Sequence, residues 1–425
     1  MSNESDAHTN SAAACRPAAP GWLGNAWVVV LAAGVVMGLA LGVRHVQGLF
    51  LLPVTLERGW SRELFALALA VQNLTWGLAQ PLAGMLADRM GSVRVVLAGL
   101  LLYALGLYGL AQAGTPPAFV LAAGVLIGLA LACTAFGVLY AAVNRLVAPA
   151  RRPWAIGMTG AVGGFGQFAM VPAVQEWMAV AGWQSALLAL AVLMLAVLPL
   201  ALPLRDRPPA AGADGAGVPA QSLRSAVAEA LSHRGFWLLN LGFLACGFQL
   251  AFIATHLPAY LIDRGLGAQA GVAALATIAL ANVAGNYACG VLGGRYRQKH
   301  LLAWIYLARS LAIALFVMLP VSLAGVYAFA AVMGLLWLGT VPLTTGVLVR
   351  VFGVRYLGTL FGFVFIGHQL GSFLGVWMGG RVFEATGAYD AVWLGAIALG
   401  VAAAALHWPI DDRQLLRATP AGAAA

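Results

Sequence analysis

Arg44 and Arg309 are the only charged residues placed deep inside long apolar stretches of this chain, and no Asp or Glu accompanies them there. A guanidinium in hydrocarbon costs about 2.5–3.5 kcal/mol on insertion scales, so a sequence that keeps one invites a functional reading. The chemistry on offer is recognition of an anion. A planar fork of N–H donors can take a carboxylate through two parallel hydrogen bonds, which the point charge of a lysine cannot do. Arg44 stands beside His45 and Gln47, about two-thirds of the way along the first apolar stretch. Further polar side chains at comparable depth are Gln249 and His256, Asn282 and Asn286 one helical turn apart, Trp337 and Thr340, and His368 with Gln369. With no carboxylate available, a coupled proton would need a histidine that titrates near neutral pH, which means His45, His256 or His368. The competing reading of any one of these groups is helix-to-helix glue, worth about 1 kcal/mol. Arg309 lies about eight residues, roughly 12 Å, into its stretch. It is expected to snorkel or to pair with a neighbouring helix rather than to meet a ligand.

The elements that must position these groups are membrane helices. The chain has 425 residues, 62% hydrophobic and 9% charged, where soluble domains carry about 25% charge. Apolar runs of about 20 residues, each enough to cross some 30 Å of hydrocarbon, recur from Trp27 to His407. Twelve are expected, at 24–52, 63–87, 94–114, 117–142, 154–178, 183–204, 236–262, 271–294, 301–320, 325–349, 357–380 and 389–408. The fold expected is an all-α membrane protein of two six-helix halves, 24–204 and 236–408. A disordered cytoplasmic N-terminus (1–23), a cytoplasmic linker (205–235) and a cytoplasmic tail (409–425) complete it. The linker contains a disorder-prone Pro/Ala/Gly stretch at 208–219.

Charge distribution sets the expected orientation. Outside mid-span Arg44 and Arg309, every basic residue except Arg58, Arg62, Arg264 and Arg381 falls on the side of the two termini, which places both termini in the cytoplasm. The net charge of +9 is split into short clusters between apolar runs, which excludes a nucleic-acid-binding face. Of the four cysteines, Cys15, Cys133, Cys246 and Cys289, three lie in apolar runs and none pair at metal-ligand spacing, so packing is their expected role. The first 20 residues lack the basic start of a cleaved leader, so the first span is expected to remain as an anchor. Neither a nucleotide loop, a nucleophile–base set nor a metal cluster is found, so no cofactor is expected and an enzyme is not. A single lysine, Lys299, among 23 basic residues fits a GC-rich bacterial genome and hence an inner membrane.

Gly84-x-x-x-Asp88-Arg89-x-Gly91, between the second and third spans, resembles the loop motif of the major facilitator superfamily. Its glycines allow a tight turn, and Asp88 with Arg89 can hold a facing helix, which makes the four residues a candidate gate. Ser92 and Val93 stand where that family often has basic residues. The halves echo each other through Gly290-Val-Leu-Gly-Gly294-Arg295 at the end of the eighth span. Gly59-Trp-Ser-Arg62, Arg152-Pro-Trp-Ala155-x-Gly157-x-x-Gly160, Gly182-Trp-Gln184, His368-Gln369 and Thr386-Gly-Ala-Tyr389 narrow the likeness. Together they resemble the monocarboxylate transporter and oxalate/formate antiporter branch.

The resemblance implies twelve helices, with spans 1, 4, 7 and 10 lining a cavity. It also implies a secondary transporter, symporter or antiporter, of a small organic anion such as a monocarboxylate, working as a monomer in the lipid bilayer. The branch's substrate-linked lysine falls at His45, next to Arg44. Its Asp/Arg pair in the eighth span has no counterpart here. The alternative is efflux of an anionic or neutral metabolite or drug. A multidrug cation pump would need an intramembrane carboxylate, and the chain has none.

Overall fold

The computed structural model describes residues 25–148, 151–205, 222–353 and 356–415, without the side chains of Asp88, Arg89, Asn144, Arg152 and Pro153. The N-terminal segment 1–23, the disorder-prone stretch 208–219, the last ten residues of the tail and the side chains of the Asp88–Arg89 pair therefore lie outside the described residues.

Helix ends follow their local chemistry. α1 (Ala26–Val46) starts where the Asn25 carboxamide accepts from the Trp27 amide, then tightens just past Arg44 and His45 into a 3-10 turn, Gln47–Phe50. It resumes as α2 (Leu51–Arg58) and stops at Gly59, whose φ of 64° is left-handed. Ser61 then caps α3 (Arg62–Met90) by accepting from the Leu64 amide at 3.1 Å. The Gly-Trp-Ser-Arg motif is thus a stop signal followed by a start signal. Gly91, at φ 89°, turns the chain into α4 (Ser92–Gln112).

The fourth path is α5 (Pro116–Val120), a π-helical turn (Leu121–Leu126), α6 (Ile127–Thr134) and α7 (Phe136–Leu146), interrupted by extended backbone at Ala135. α8 (Arg152–Ala196) is broken at Gly182, φ 79°, and ends in a 3-10 turn, Leu198–Leu204. A short α9 (Leu223–Ser232) leads into α10 (Arg234–Asp263), α11 (Ala268–Arg295) and α12 (Gln298–Met318). The next path is split into α13 (Leu323–Leu335) and α14 (Thr340–Phe352) before α15 (Leu357–Thr386) and α16 (Asp390–His407).

Among the described residues ten helical segments are long and apolar enough to cross a membrane. The difference from twelve arises in two places. Trp154–Leu204 counts as one segment of 51 residues although Gly182 breaks its course. α3, which turns Gln72, Asn73 and Gln80 into the interior, is not among the ten.

α1–α8 and α10–α16 form two halves. They meet chiefly along α3 against α15 and α8 against α11, with the turn Gln47–Phe50 laid on α10. Lipid provides no hydrophobic drive between helices, so close packing must come from small residues. At Gly48 a Cβ would come within 2.3 Å of the Ala254 carbonyl, and at Gly285 within 2.0 Å of the Leu335 carbonyl. Side chains at those two points would push the turn Gln47–Phe50 from α10 and α11 from α13. The start of α1, the end of α16, α9 and the turn Leu198–Leu204 mark one face, the terminal face. The turns α2–α3, α10–α11 and α15–α16 mark the distal face.

Candidate functional site

Arg44 sits in the last turn of α1, immediately before the helix tightens. Its Nη2 donates to Asn73 Oδ1, and its guanidinium lies 5.3 Å from the centre of the Trp76 ring. Both partners come from α3, one turn apart. Asn73 is itself fixed by donating from Nδ2 to the Leu69 carbonyl at 2.8 Å. The Trp76 indole N–H donates to Gln80 Oε1 at 2.8 Å, and Gln80 Nε2 donates to the Ala132 carbonyl at 3.3 Å. That carbonyl lies just before the interruption at Ala135. A side chain from the second path therefore braces a helix break in the fourth and, through Trp76, the floor beneath Arg44.

His45 turns the other way. Its Nε2 is 2.9 Å from the Leu275 carbonyl of α11, and its ring meets Trp337 edge-on at 6.3 Å. Arg44 and His45 are adjacent in sequence but address different halves. Trp76 also touches Phe365 of α15, ring centres 5.1 Å apart, and Phe365 stacks on His368 at 5.3 Å. His368 Nδ1 bonds to Gln369 Oε1 at 2.9 Å, which also accepts from Ser372. The structure thus gathers Arg44, His45 and Trp337, and links His368 with Gln369 to them through Trp76 and Phe365.

Asn282, Asn286 and Thr340 stand behind Trp337, around the break between α13 and α14. Asn282 Oδ1 accepts from the Leu338 amide at 3.0 Å and from Asn286 Nδ2 at 3.4 Å. Thr340 Oγ1 is 3.3 Å from Cys246 Sγ. Three of the residues singled out by polarity face elsewhere. Gln47 lines a small apolar pocket with Val43, Leu69 and Phe119. Gln249 donates to the Ala396 carbonyl of α16 at 2.9 Å, inside the second half. His256 bonds to the Val376 carbonyl of α15 at 2.9 Å, toward the distal face.

Asn73, Trp76 and Gln80 were not read from the sequence. Their spacing of three and four residues on a largely apolar helix was the available signal. Of the gate motif, Gly91 makes the expected turn, while nothing lies within 4 Å of a Cβ at Gly84. No group of three or more His, Cys, Asp or Glu that could hold a metal occurs among the described residues.

The two arginines within the bundle differ in how far their donors are satisfied. Arg44 is half-buried, has no carboxylate partner among the described residues, and its Nε finds no acceptor. Arg309 is fully buried and bonded to the Leu336 and Trp337 carbonyls and to Cys246. Arg44 thus keeps a donor that the chain leaves unbonded on a braced guanidinium; Arg309 does not.

Known proteins agree with this architecture. The chain is 29% identical to human monocarboxylate transporter 11 over 409 residues, covering 89% of this chain and 81% of that one. It is 26% identical over 358 residues to the uncharacterized MFS-type transporter YcxA of Bacillus subtilis (strain 168), covering 80% and 84%. Bovine monocarboxylate transporter 13 is 26% identical over 384 residues, covering 87% and 85%. The model of the Major Facilitator Superfamily matches residues 30–376. With that match spanning most of a two-half helical bundle, the chain belongs to the major facilitator superfamily, a family of membrane transporters and not of enzymes.

Proposed function

We propose that this transporter moves a small organic anion, a monocarboxylate, by alternating access to a site built on Arg44. The observation that carries the reading is the braced, uncompensated guanidinium of Arg44, held between Asn73 and Trp76 where the two halves meet. A carboxylate would supply the two acceptors and the negative charge that the chain itself withholds. His45, Trp337, His368 and Gln369 form the remaining wall, Asn282, Asn286 and Thr340 back Trp337, Gln249 and His256 hold helices together, and Gln47 lines an apolar pocket. The names of the relatives favour the same substrate class.

The reading includes twelve crossings, with α3 and both parts of α8 each spanning the bilayer, and a terminal face in the cytoplasm of a bacterial inner membrane. Transport is by the monomer, driven by exchange or by a proton. His45 is the proton carrier in the second case, since it adjoins Arg44 and bonds across to the other half. The motif Gly84–Gly91 gates the terminal face.

Liposomes containing the protein should accumulate labelled short-chain carboxylates. Arg44→Ala should abolish that uptake while leaving folded, monodisperse protein; uptake at the normal rate by this variant would sink the assignment.

A further inference from the structure

The second buried arginine is left over by this reading, yet its surroundings are the more fully built. Between α13 and α14 the helical ladder fails. Pro342 has no N–H to send back to Leu338, and the Val341 amide turns to Leu338 at 3.0 Å in place of Trp337, four residues back. The Trp337 carbonyl is thereby released, and among the described residues the neighbouring Leu336 carbonyl at the C-terminal end of α13 takes no backbone amide either. Buried carbonyls without donors are costly. Arg309 of α12 meets both: Nε donates to Leu336 at 3.0 Å, and Nη2 bonds to Leu336 and Trp337. Its Nη1 donates to Cys246 Sγ at 3.2 Å, and its guanidinium lies 5.5 Å from the Tyr306 ring centre.

No carboxylate offsets the charge among the described residues. The negative end of α13 and the aromatic face do so in its place. In transporter folds the carbonyls of a broken helix commonly hold a free cation. Here a tethered one occupies that position.

The residue clamped in this way is Trp337, whose ring abuts His45, the neighbour of Arg44. We propose that Arg309 is a positioning residue for the anion site. By tying down the break between α13 and α14 it holds Trp337 against His45, and so sets substrate affinity without touching substrate. The affinity part rests on the transport reading above; the clamp itself does not.

Hydrogen exchange and transport separate the two. In Arg309→Gln, amides from Leu336 to Val341 should exchange about tenfold faster while the rest of the bundle keeps its protection. The KM for labelled pyruvate should rise about tenfold with the maximal rate nearly unchanged. Arg309→Lys, which can still bring a charged donor to the two carbonyls, should lose less of both than Arg309→Gln does. It also serves as the test variant if the glutamine form does not fold, with an intermediate loss expected. Unchanged exchange at 336–341 would overturn the clamp, and faster exchange with an unmoved KM would reduce Arg309 to a structural group and overturn the positioning role. Absence of carboxylate uptake by the unmodified protein would sink the transport reading instead. The clamp would then be decided by exchange alone, upheld if Arg309→Gln loses protection and rejected if it does not.

Discussion

Arg44 and Arg309 share a charge and an apolar setting, and the number of acceptors around each divides their roles. Arg309 is surrounded by carbonyls that a broken helix sets free, so its fork is filled from within the chain. Arg44 has one carboxamide and one aromatic face, which orient it without neutralising it. The aromatic face can be tested directly. A cation over a tryptophan contributes about 0.5–2 kcal/mol depending on desolvation. Trp76→Leu should therefore raise the KM for a transported carboxylate about 2- to 30-fold, with the maximal rate much less affected. Gln80→Leu, which leaves the Trp76 indole N–H without its acceptor, should shift KM in the same direction by less. Radiolabel uptake over a concentration series measures both. A KM unchanged in Trp76→Leu would mean that Arg44 needs no aromatic support.

At the scale of elements, the ends of helices were legible in the sequence and the breaks within them only partly so. Gly59, Ser61, Gly182 and Gly387 mark turns because their conformations or capping oxygens demand those residue types. Pro342, in the first turn of α14, marks the interruption of the tenth path. The interruption at Ala135 carries no proline; Gly137, two residues on, leaves the space that Gln80 of another helix enters, a tertiary cause that no local pattern contains. The same limit explains the site. Depth in a span selected Gln249 and His256 alongside Arg44, but which face of a helix meets the centre depends on how helices rotate against their neighbours.

One element lies where ionisation can be followed. After α16 the chain folds back, and Asp412 accepts from Arg297, 3.9 Å from Arg350, while Lys299 donates to the Ile410 carbonyl. The Arg297 hydrogen bond holds the Asp412 carboxyl below its ordinary value of about 3.9. Such a group stabilises docking fully above the ordinary carboxylate range and loses that contribution as pH falls through the lowered value. Trypsin cleavage at Arg413 should thus be slow at neutral pH and severalfold faster in Asp412→Asn. Deuterium uptake across 409–415, readable in acid where trypsin is not, should rise in the unmodified protein only below about pH 4. Equal cleavage in both forms at pH 7 would show that the charge does not hold the tail.

The whole molecule is fastened at one face. On the distal side Arg62 of the first half grips Asp263 of the second through two hydrogen bonds, 2.6 and 2.9 Å, and its Nη1 also reaches the Tyr389 hydroxyl at 3.2 Å. Its backbone amide donates to Glu384 at 2.8 Å, and Arg381 pairs with Glu63 at 3.2 Å. From there α3 and α15 stay in register, Ala66 against Gly380, Gly77 against Gln369 and Pro81 against Gly362. One turn further toward the terminal face, Gly84 and Gly358 have nothing within 4 Å of a Cβ position. The halves are fastened at the distal face and part between α3 and α15 toward the other; under the transport reading proposed above, this is one of the two states that alternating access requires.

If the Arg62 cluster holds that state, weakening it should shift the balance toward the opposite one. The pair is partly exposed, with 15% and 32% of the two side chains open to solvent. Its contribution is therefore about 1 kcal/mol, the upper part of the range for exposed pairs, and salt will screen it further. Asp263→Asn should raise the population open at the distal face about fivefold, since 1.4 kcal/mol corresponds to tenfold. Spin labels at exposed Leu56 and Gln269, one on each half near that face, would report it as a longer-distance component in pulsed dipolar spectra. The same component should grow in the unmodified protein on raising the salt concentration. A distance distribution identical in the two proteins would show that the distal face is kept shut by helix packing at Gly380 and Gly77, and that Arg62 only decorates it.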